Sequence, residues 1–338
     1  MTLQPKGYSA IPTKPNLQPS LGASLWQIAD SLIPFIGMLV LMFFSLRFSY
    51  ILTLALSVVT GGFVVRLFII QHDCGHYSYF KSRRANDLTG WLLSLVTFTP
   101  YFYWRKQHAV HHATTGNLDK RGHGDMTLYT VREYLALSRI DRIRYRIYRN
   151  PFMFLILGPL LLMLFNNRMV RDKVHSTPGE RLNVHLSNIL IVVLFGLAGW
   201  WIGFRSVAMI VIPTYWISSA AGIWLFYVQH QFDPAYWKRN SNWSYNEASL
   251  HGSSYLKLPR LLQWFTGNIG FHHIHHLKIS VPNYRLQRAF ESSPDFRNVH
   301  TLTFWSSFKT MFLSLWDEEQ KRLIRFGELR RTGVLERT

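Results

Sequence analysis

The sequence of 338 residues contains a single cysteine, Cys74. One cysteine excludes an intramolecular disulfide and a metal site built from several thiolates. The chain also has no dinucleotide fingerprint of the GxGxxG type, so we predict no bound nucleotide cofactor. Acidic residues are scarce: 18 Asp and Glu stand against 37 Lys and Arg, and the formal net charge is +19. No recognition motif for nucleic acid accompanies this charge, so a nucleic-acid partner is not expected.

Apolar residues are concentrated in long runs. Residues 1–24 lack the apolar core of a signal peptide and are rich in Pro, Ser, Leu and Lys, so we expect a disordered N-terminal arm. A bilayer crossing takes about 20 residues, and four runs approach that length, at about 28–46, 51–71, 186–204 and 206–228. Short turns join the first run to the second and the third to the fourth. The pattern predicts an all-α membrane protein with four transmembrane helices arranged as two hairpins.

Two further apolar runs, 88–104 and 151–165, are shorter and contain Pro or Gly, and we interpret them as interfacial or partly inserted helices. An even number of spans then precedes each large loop, so all the large loops lie on one side of the membrane. That side carries all but three of the 37 Lys and Arg, the exceptions being Arg47, Arg66 and Arg205. The positive-inside rule makes it the cytoplasmic side.

This topology divides the chain into the arm, a membrane domain over 25–300 with a cytoplasmic histidine-rich cap, and a basic cytoplasmic C-terminal segment over 301–338. The basic loops act first as topology determinants and as contacts to anionic lipid headgroups. An acidic protein partner could use the same surface.

Nine of the 15 histidines lie in three short boxes, HDCGH, HAVHH and HHIHH, and eight of these nine are spaced as ligands. On a helix, spacings of three and four residues bring side chains onto one face, so each box can aim its imidazoles at a common point. One tetrahedral ion uses about four ligands, so eight imidazoles imply two metal ions. The predicted ligands are His72, His76, His108, His111, His112, His272, His275 and His276. Imidazole suits Zn, Cu, Fe and Ni, and spacing alone does not choose among them.

Other residues are candidates for supporting roles. His230 follows the inner end of the fourth run, at the depth of the boxes, and we predict it as a ninth ligand. His273 falls off the face shared by its neighbours, which favours a second-layer or surface position over ligation. Ligating histidines need their other ring nitrogen held by a carboxylate, amide or carbonyl, and the nearby candidates are Asp73, Asn117, Asp119, Asp125 and Asn268. Asn268 lies one turn before His272 and could alternatively reach the metal through water.

The segments HDCGH, HAVHHATTGNLDKRGHGD and GNIGFHHIHHLKISVPNY resemble the three histidine boxes of the integral-membrane fatty acid desaturases. Their surroundings are similar to the bacterial acyl-lipid branch related to plant delta-12 enzymes. The resemblance covers roughly 66–290. It implies that the eight box histidines hold a non-haem di-iron centre, and His230 in YVQHQF resembles the family's histidine outside the boxes. One departure is Phe226, where related acyl-CoA enzymes can carry Asn, so the last metal position is left to water or to Asn268.

The resemblance also implies a reaction: O2-dependent removal of two hydrogens from an acyl chain, here of a membrane glycerolipid, in the inner membrane of a bacterium. Iron can change oxidation state and zinc cannot, so O2 chemistry on C–H bonds favours iron. The reaction needs two external electrons, and the chain has no fused haem-binding segment. We therefore expect a soluble donor of the ferredoxin, flavodoxin or cytochrome b5 type.

Two alternatives stay open. An acyl hydroxylase or related oxygenase on the same scaffold would use the same boxes, and box spacing does not distinguish it from a desaturase. A membrane metal-binding or transport protein without catalysis is the alternative from another class. Transporters place polar ligands along a path inside the spans, whereas these boxes lie at the inner ends of largely apolar spans.

Overall fold

A computed structural model describes residues 17–122, 126–171 and 176–329 of the chain. This part is mostly helical. Its α-helices are α1 (Leu21–Ser45), α2 (Tyr50–Gly75), α3 (Arg83–Thr97), α4 (Tyr101–Thr114), α5 (Val131–Ala136), α6 (Arg139–Tyr148), α7 (Pro151–Leu161), α8 (Pro178–Ile202), α9 (Phe204–His230), α10 (Tyr245–His251), α11 (Arg260–Phe265), α12 (His272–Leu277), α13 (Leu286–Glu291) and α14 (Phe304–Thr310). Its short strands are β1 (Tyr129–Thr130), β2 (Tyr255–Lys257), β3 (Thr301–Thr303), β4 (Leu315–Asp317) and β5 (Arg322–Ile324).

Four helices, α1, α2, α8 and α9, are long and apolar enough to cross a membrane, and they correspond to the four predicted runs. The prediction of an all-α membrane protein is confirmed. Helices α1 and α2 pack together, as do α8 and α9, and α2 also packs against α9. The two hairpins are therefore joined through the helices that run into the first histidine box and His230.

The first span begins earlier than expected. Helix α1 starts at Leu21, and Ser20 is its N-cap residue. The last four residues of the predicted disordered arm are thus helical, because Ser24 is buried and its hydroxyl donates to the Tyr79 carbonyl at 2.7 Å. Residues 1–16 lie outside the described part of the chain, so the rest of that prediction is untested.

Small residues allow the central helices to approach closely. A Cβ placed at Gly61 of α2 would lie 3.2 Å from the Thr214 carbonyl oxygen of α9. One placed at Gly62 would lie 2.8 Å from the ring of Phe265 in α11. Helix α2 therefore packs between α9 and α11, and this position fixes where its histidine-bearing end emerges.

The run predicted as one interfacial helix over 88–104 is instead divided between two helices, α3 and α4. Phe98 ends α3 in the left-handed region, with φ of 56°, and Pro100 caps the start of α4. A left-handed residue followed by proline cannot continue a helix. The break directs α4, which carries the second histidine box, across the inner end of α2.

The second predicted interfacial run forms α7, which continues as a π-helical turn over Leu162–Asn166. Asn150 caps its start and Pro151 occupies the first turn. Helix α6 precedes it at an angle of 79°, and the two together would also qualify as one bent span. The interfacial or partly inserted placement of α7 stays a prediction.

The cap gathers the remaining helices and two small sheets. Strand β1 pairs with β4 in parallel, β4 pairs with β5 in antiparallel fashion, and β2 pairs with β3 in parallel. Strands β3, β4 and β5 lie in the predicted C-terminal segment, so residues up to Ile324 belong to the cap and not to a separate tail. Leu315, Leu323 and Ile324 are completely buried there.

Candidate metal centre

Nine histidines meet in two groups where the spans α2 and α9 end. The first group is His72, His76, His108, His112 and His275, and the second is His111, His230, His272 and His276. In each group every residue offers a ring nitrogen within 4.8 Å of those of the others. All nine histidines predicted as ligands are thus brought together, and the structure divides them into five and four.

The local fold explains this division. His72 lies in the last turn of α2 and His76 is its C-cap residue, so both side chains leave the end of that span. Helix α4 directs His108 and His112 to the first group and His111 to the second. Helix α12 directs His275 to the first group and His272 and His276 to the second. Two helices therefore serve both groups, which holds the groups side by side.

The distances between ring nitrogens fit metal ligation better than hydrogen bonding. In the second group Nε2 of His230 lies 3.1 Å from that of His111 and 3.0 Å from that of His272. Nε2 of His272 is also 3.1 Å from that of His276. A neutral Nε2 carries either one proton or one lone pair, so a chain of three such contacts cannot be satisfied by protons alone. Two nitrogens bound at right angles to one ion at about 2.1 Å would be about 3.0 Å apart.

The first group has the same spacing, with Nε2 of His112 at 3.0 Å from that of His108 and at 3.1 Å from that of His275. Nε2 of His76 is buried without a hydrogen-bond partner among the described residues. A buried polar atom without a partner is costly, and a metal ion would satisfy it. The donor set of both groups therefore fits two metal ions.

Burial favours the neutral form of six of the box imidazoles. It lowers the pKa of these six well below the ordinary value of 6.5, and repulsion between neighbouring imidazoles adds to the effect; they are His76, His108, His112, His272, His275 and His276. Neutral imidazole presents the lone pair that a metal needs. At neutral pH these six imidazoles are therefore available to bind a metal ion.

One predicted support residue contacts a ligand histidine. Oδ1 of Asp73 lies 3.2 Å from Nδ1 of His72, and both residues are buried. This contact holds the ring so that Nε2 faces the group. The other ring nitrogen of His230 has a partner that the sequence did not suggest, the Gly252 carbonyl oxygen at 3.2 Å from Nδ1.

Three other predicted support residues, Asn117, Asp119 and Asn268, have hydrogen-bond partners outside the boxes. Asn117 bonds to Asn240 and to the Asp119 backbone, and the Asp119 carboxylate accepts from Arg239 at 2.8 Å. The backbone N–H of Asp119 donates to the side chain of Asn117, which is the contact of an Asx turn, so both residues belong to a loop. The Asn268 side-chain amide donates to the Asn283 carbonyl at 3.3 Å. Asp125 lies outside the described residues.

His273 is completely buried but belongs to neither group. Its Nε2 lies 3.2 Å from the Phe296 carbonyl oxygen, and burial lowers its pKa to about 3. The prediction that it is not a ligand agrees with this placement, although it lies in the core and not at the surface. It ties α12 to the loop before β3.

The known proteins that resemble this chain identify its class. The sequence profile described as fatty acid desaturase matches residues 48–308. The chain belongs to the fatty acid desaturase family. It is an integral membrane enzyme that desaturates fatty acids, in agreement with the resemblance seen in the boxes.

Individual relatives agree with this assignment. The desaturase is 45% identical over 317 residues to a protein of Bacillus subtilis named fatty acid desaturase, which covers 94% of this chain and 90% of the relative. It is 27% identical to the sn-1 acyl-lipid omega-3 desaturase (ferredoxin) of Nostoc sp., over 74% of this chain and 69% of the relative. It is 28% identical to the sn-1 oleoyl-lipid 12-desaturase of Synechocystis sp., over 69% of this chain and 66% of the relative.

Aromatic rings enclose the desaturase's histidine groups. Trp104 stacks on His108 with ring centroids 4.6 Å apart. Phe226, the residue that departs from the related acyl-CoA enzymes, lies 5.1 Å from the His111 ring and 5.4 Å from the His230 ring. A cavity of about 10 Å³ lies beside Phe226 and His230, which is room for one water molecule.

Two residues of the site were missed by the sequence analysis. Asn283 donates from its side chain to Oδ2 of Asp73 at 2.8 Å. Gln27 of α1 donates to Oδ1 of Asn283 at 2.7 Å. Asn283 lies in a segment that carried the resemblance, but nothing in its spacing from the third box indicates that it returns to the first.

Proposed function

We propose that this desaturase introduces a double bond into the acyl chains of membrane glycerolipids at a di-iron centre held by nine histidines. The observation that carries the proposal is the pair of adjacent histidine groups, which share helices α4 and α12. The first metal would be held by His72, His76, His108, His112 and His275, and the second by His111, His230, His272 and His276.

The bound iron ions would supply the activation of O2 and the removal of two hydrogens from the acyl chain. The protein's own residues orient the imidazoles. Asp73 fixes the ring of His72 and the Gly252 carbonyl fixes that of His230. Trp104 and Phe226 cover the rings with apolar surface, which excludes bulk water from a site where reactive oxygen chemistry would take place.

The electron balance requires an external reductant. One O2, two electrons and two protons are consumed as two hydrogens leave the acyl chain and two water molecules form. The chain carries no dinucleotide fingerprint, so we propose a soluble one-electron donor of the ferredoxin, flavodoxin or cytochrome b5 type. The name of the Nostoc relative includes ferredoxin, which supports this class of partner.

The names of two relatives support the proposed substrate class, and the distribution of basic residues supports the proposed location of the site. Two relatives are named as acyl-lipid or oleoyl-lipid desaturases, which supports an acyl chain carried on a glycerolipid. The basic loops lie on the histidine-bearing side of the spans, so we place the site at the cytoplasmic face of a bacterial inner membrane. Asn268 is not needed in this arrangement, because the cavity beside His230 has room for a water ligand.

The deciding experiment measures product mass and metal content together. The chain is expressed in a bacterial host that is fed an isotopically labelled saturated fatty acid, with His108→Ala as the inactive comparison. We expect a labelled lipid product lighter by two hydrogens in the wild type only, and two irons in each purified chain. Gain of one oxygen atom would instead indicate a hydroxylase. A single zinc with no O2-dependent product would indicate a metal-transport protein.

A further inference from the structure

Helix α7 runs along the inner part of a span. Its Phe154 stacks on Tyr227 of α9, with ring centroids 4.8 Å apart. One turn further along α7, a Cβ placed at Gly158 would lie 3.2 Å from the Ile223 side chain, one turn further into the span. The two helices are therefore antiparallel neighbours, and α7 enters the membrane from the inner end of α9.

Helix α6 lies across this direction, at 79° to α7. A helix nearly perpendicular to a neighbour that runs along a span lies close to the membrane plane. Since α6 joins α7 at the inner end of α9, it lies at the depth where headgroups meet acyl chains.

Two opposite faces of α6 differ in their environment. Tyr145 is buried and its hydroxyl donates to the Ser314 carbonyl at 2.7 Å, which attaches one face to the cap. The opposite face carries Ile140, Ile143 and Ile147, which are 62%, 58% and 49% exposed. Spacings of three and four residues align these isoleucines in one stripe. No described residue of the chain covers the stripe.

Basic residues flank the stripe. Helix α6 contains four arginines, Arg139, Arg142, Arg144 and Arg146, and one acidic residue, Asp141. Arg139 and Arg146 lie on one side of the isoleucines and Arg144 lies on the other, as the helical period of 3.6 residues requires. An apolar stripe bordered by arginines is typical of helices that lie in an anionic membrane surface.

Helix α14 and Phe312, which follows it, carry further exposed aromatic side chains. Trp305 is 77% exposed, and Phe308 and Phe312 are also exposed. Phe308 stacks on Trp224 of the span α9, with centroids 5.9 Å apart. Arg149, which follows α6, donates to the carbonyl of Leu313 at 2.8 Å, so the end of α14 lies beside the end of α6.

We propose that α6 and α14 form a binding surface for anionic phospholipid headgroups. We define this interfacial surface as Ile140, Ile143, Ile147, Trp305, Phe308 and Phe312 with its flanking arginines. The isoleucines and aromatic rings insert among the outermost acyl carbons, and Arg139 and Arg144 contact lipid phosphates. Its contact with α9 makes the surface continuous with the apolar face of a span. A lipid surface therefore fits it better than a soluble partner does.

The test uses the full chain in lipid nanodiscs. Cys74 is buried, so a cysteine introduced as Ile143→Cys can be labelled selectively with an environment-sensitive fluorophore. Nanodiscs contain equal fractions of phosphatidylcholine and phosphatidylglycerol, and in separate samples one or the other lipid carries brominated acyl chains, which quench the label on contact. We expect quenching by both, with brominated phosphatidylglycerol at least about twofold stronger because arginines concentrate anionic lipid.

Matched variants separate the charge effect from insertion. Arg139→Gln with Arg144→Gln should bring the two quenching efficiencies together, and Arg205→Gln, at the opposite end of α9, should leave the preference intact. A label at Glu319→Cys, in the exposed turn between β4 and β5, should not be quenched. Equal quenching by the two lipids in the otherwise unaltered chain would refute anionic recognition. Absence of lipid quenching, with self-quenching between labelled copies, would assign the surface to a second copy of the chain.

Discussion

The side-chain amide of Asn283 donates a hydrogen bond of 2.8 Å to Oδ2 of Asp73. The other carboxylate oxygen of Asp73 lies 3.2 Å from Nδ1 of His72. Asn283 also bonds to Gln27 of α1. A span that supplies no histidine is thereby connected to the first histidine group, and all four side chains in this series are buried. The series accounts for the orientation of His72 through three successive contacts.

Asn283→Ala should therefore weaken metal binding without removing a ligand. The substitution frees the Asp73 carboxylate to turn and leaves Gln27 without its partner. Loss of such outer contacts typically costs about 10- to 100-fold in metal affinity, to be measured by titrating the purified chain with a competing iron chelator. Asn183→Ala is the control, because Asn183 is equally buried but bonds to the Phe102 backbone. Equal metal affinities in the two variants would contradict the positioning role.

The two neighbouring histidines of α12 should behave differently. His276 belongs to the second metal group, whereas His273 bonds to the Phe296 carbonyl, and both are completely buried. His276→Ala should lower the iron content and abolish the unsaturated product. His273→Ala should keep the iron content and lower the free energy of unfolding by about 1–3 kcal/mol, the cost of a buried group that loses its partner. Iron analysis and thermal unfolding of both variants check this, and iron loss in both would mean that burial alone, and not ligation, decides the result.

The features that could be predicted from the sequence are those that depend on residues close together in the chain. The four spans follow from the length of apolar runs, a property of contiguous residues, and the nine histidines follow from helical spacing and depth. The assignment of histidines to groups was not predictable, because His111 and His112 are adjacent in sequence and face different groups. That outcome depends on how α4 crosses α2 and α12.

Non-local contacts explain most of the errors. Asp119 lies near the second box in sequence, but Arg239, from the other half of the chain, holds its carboxylate. The pairing of β1 with β4, which draws the C-terminal segment into the cap, likewise joins residues that no local pattern relates. The break at Phe98 was hidden because an aromatic residue rarely adopts the left-handed conformation.

Arg149 should prove a stabilising residue beside the second histidine group. It is almost completely buried, and one of its terminal nitrogens, Nη2, lies within hydrogen-bond distance of the Gln231 side-chain oxygen (2.9 Å), the Tyr227 hydroxyl (2.9 Å) and the Leu313 carbonyl (2.8 Å). Arg149→Met removes the donor of the buried Gln231 side-chain oxygen, at a cost of about 1–3 kcal/mol, whereas the Leu313 carbonyl keeps the hydrogen bond from the Tyr227 hydroxyl. We expect the melting temperature of the detergent-solubilised chain to fall markedly. Arg144→Met, at an arginine whose side chain is 76% exposed, should leave it nearly unchanged, and similar melting temperatures for the two variants would argue against a bracing role.

A charge pair between the first two spans should show strong coupling. Nη2 of Arg66 lies 3.2 Å from Oδ2 of Asp30, and its guanidinium also lies 3.8 Å from the centre of the Trp264 ring. Asp30→Leu leaves a buried cation without its counter-charge, so we expect a loss of about 3–5 kcal/mol in the free energy of unfolding. Adding Arg66→Met removes that cation, and the double variant should be more stable than Asp30→Leu alone. Unfolding of the single and double variants in bicelles measures the coupling, and a double variant whose loss equals the sum of the single losses would mean that the two charges act independently.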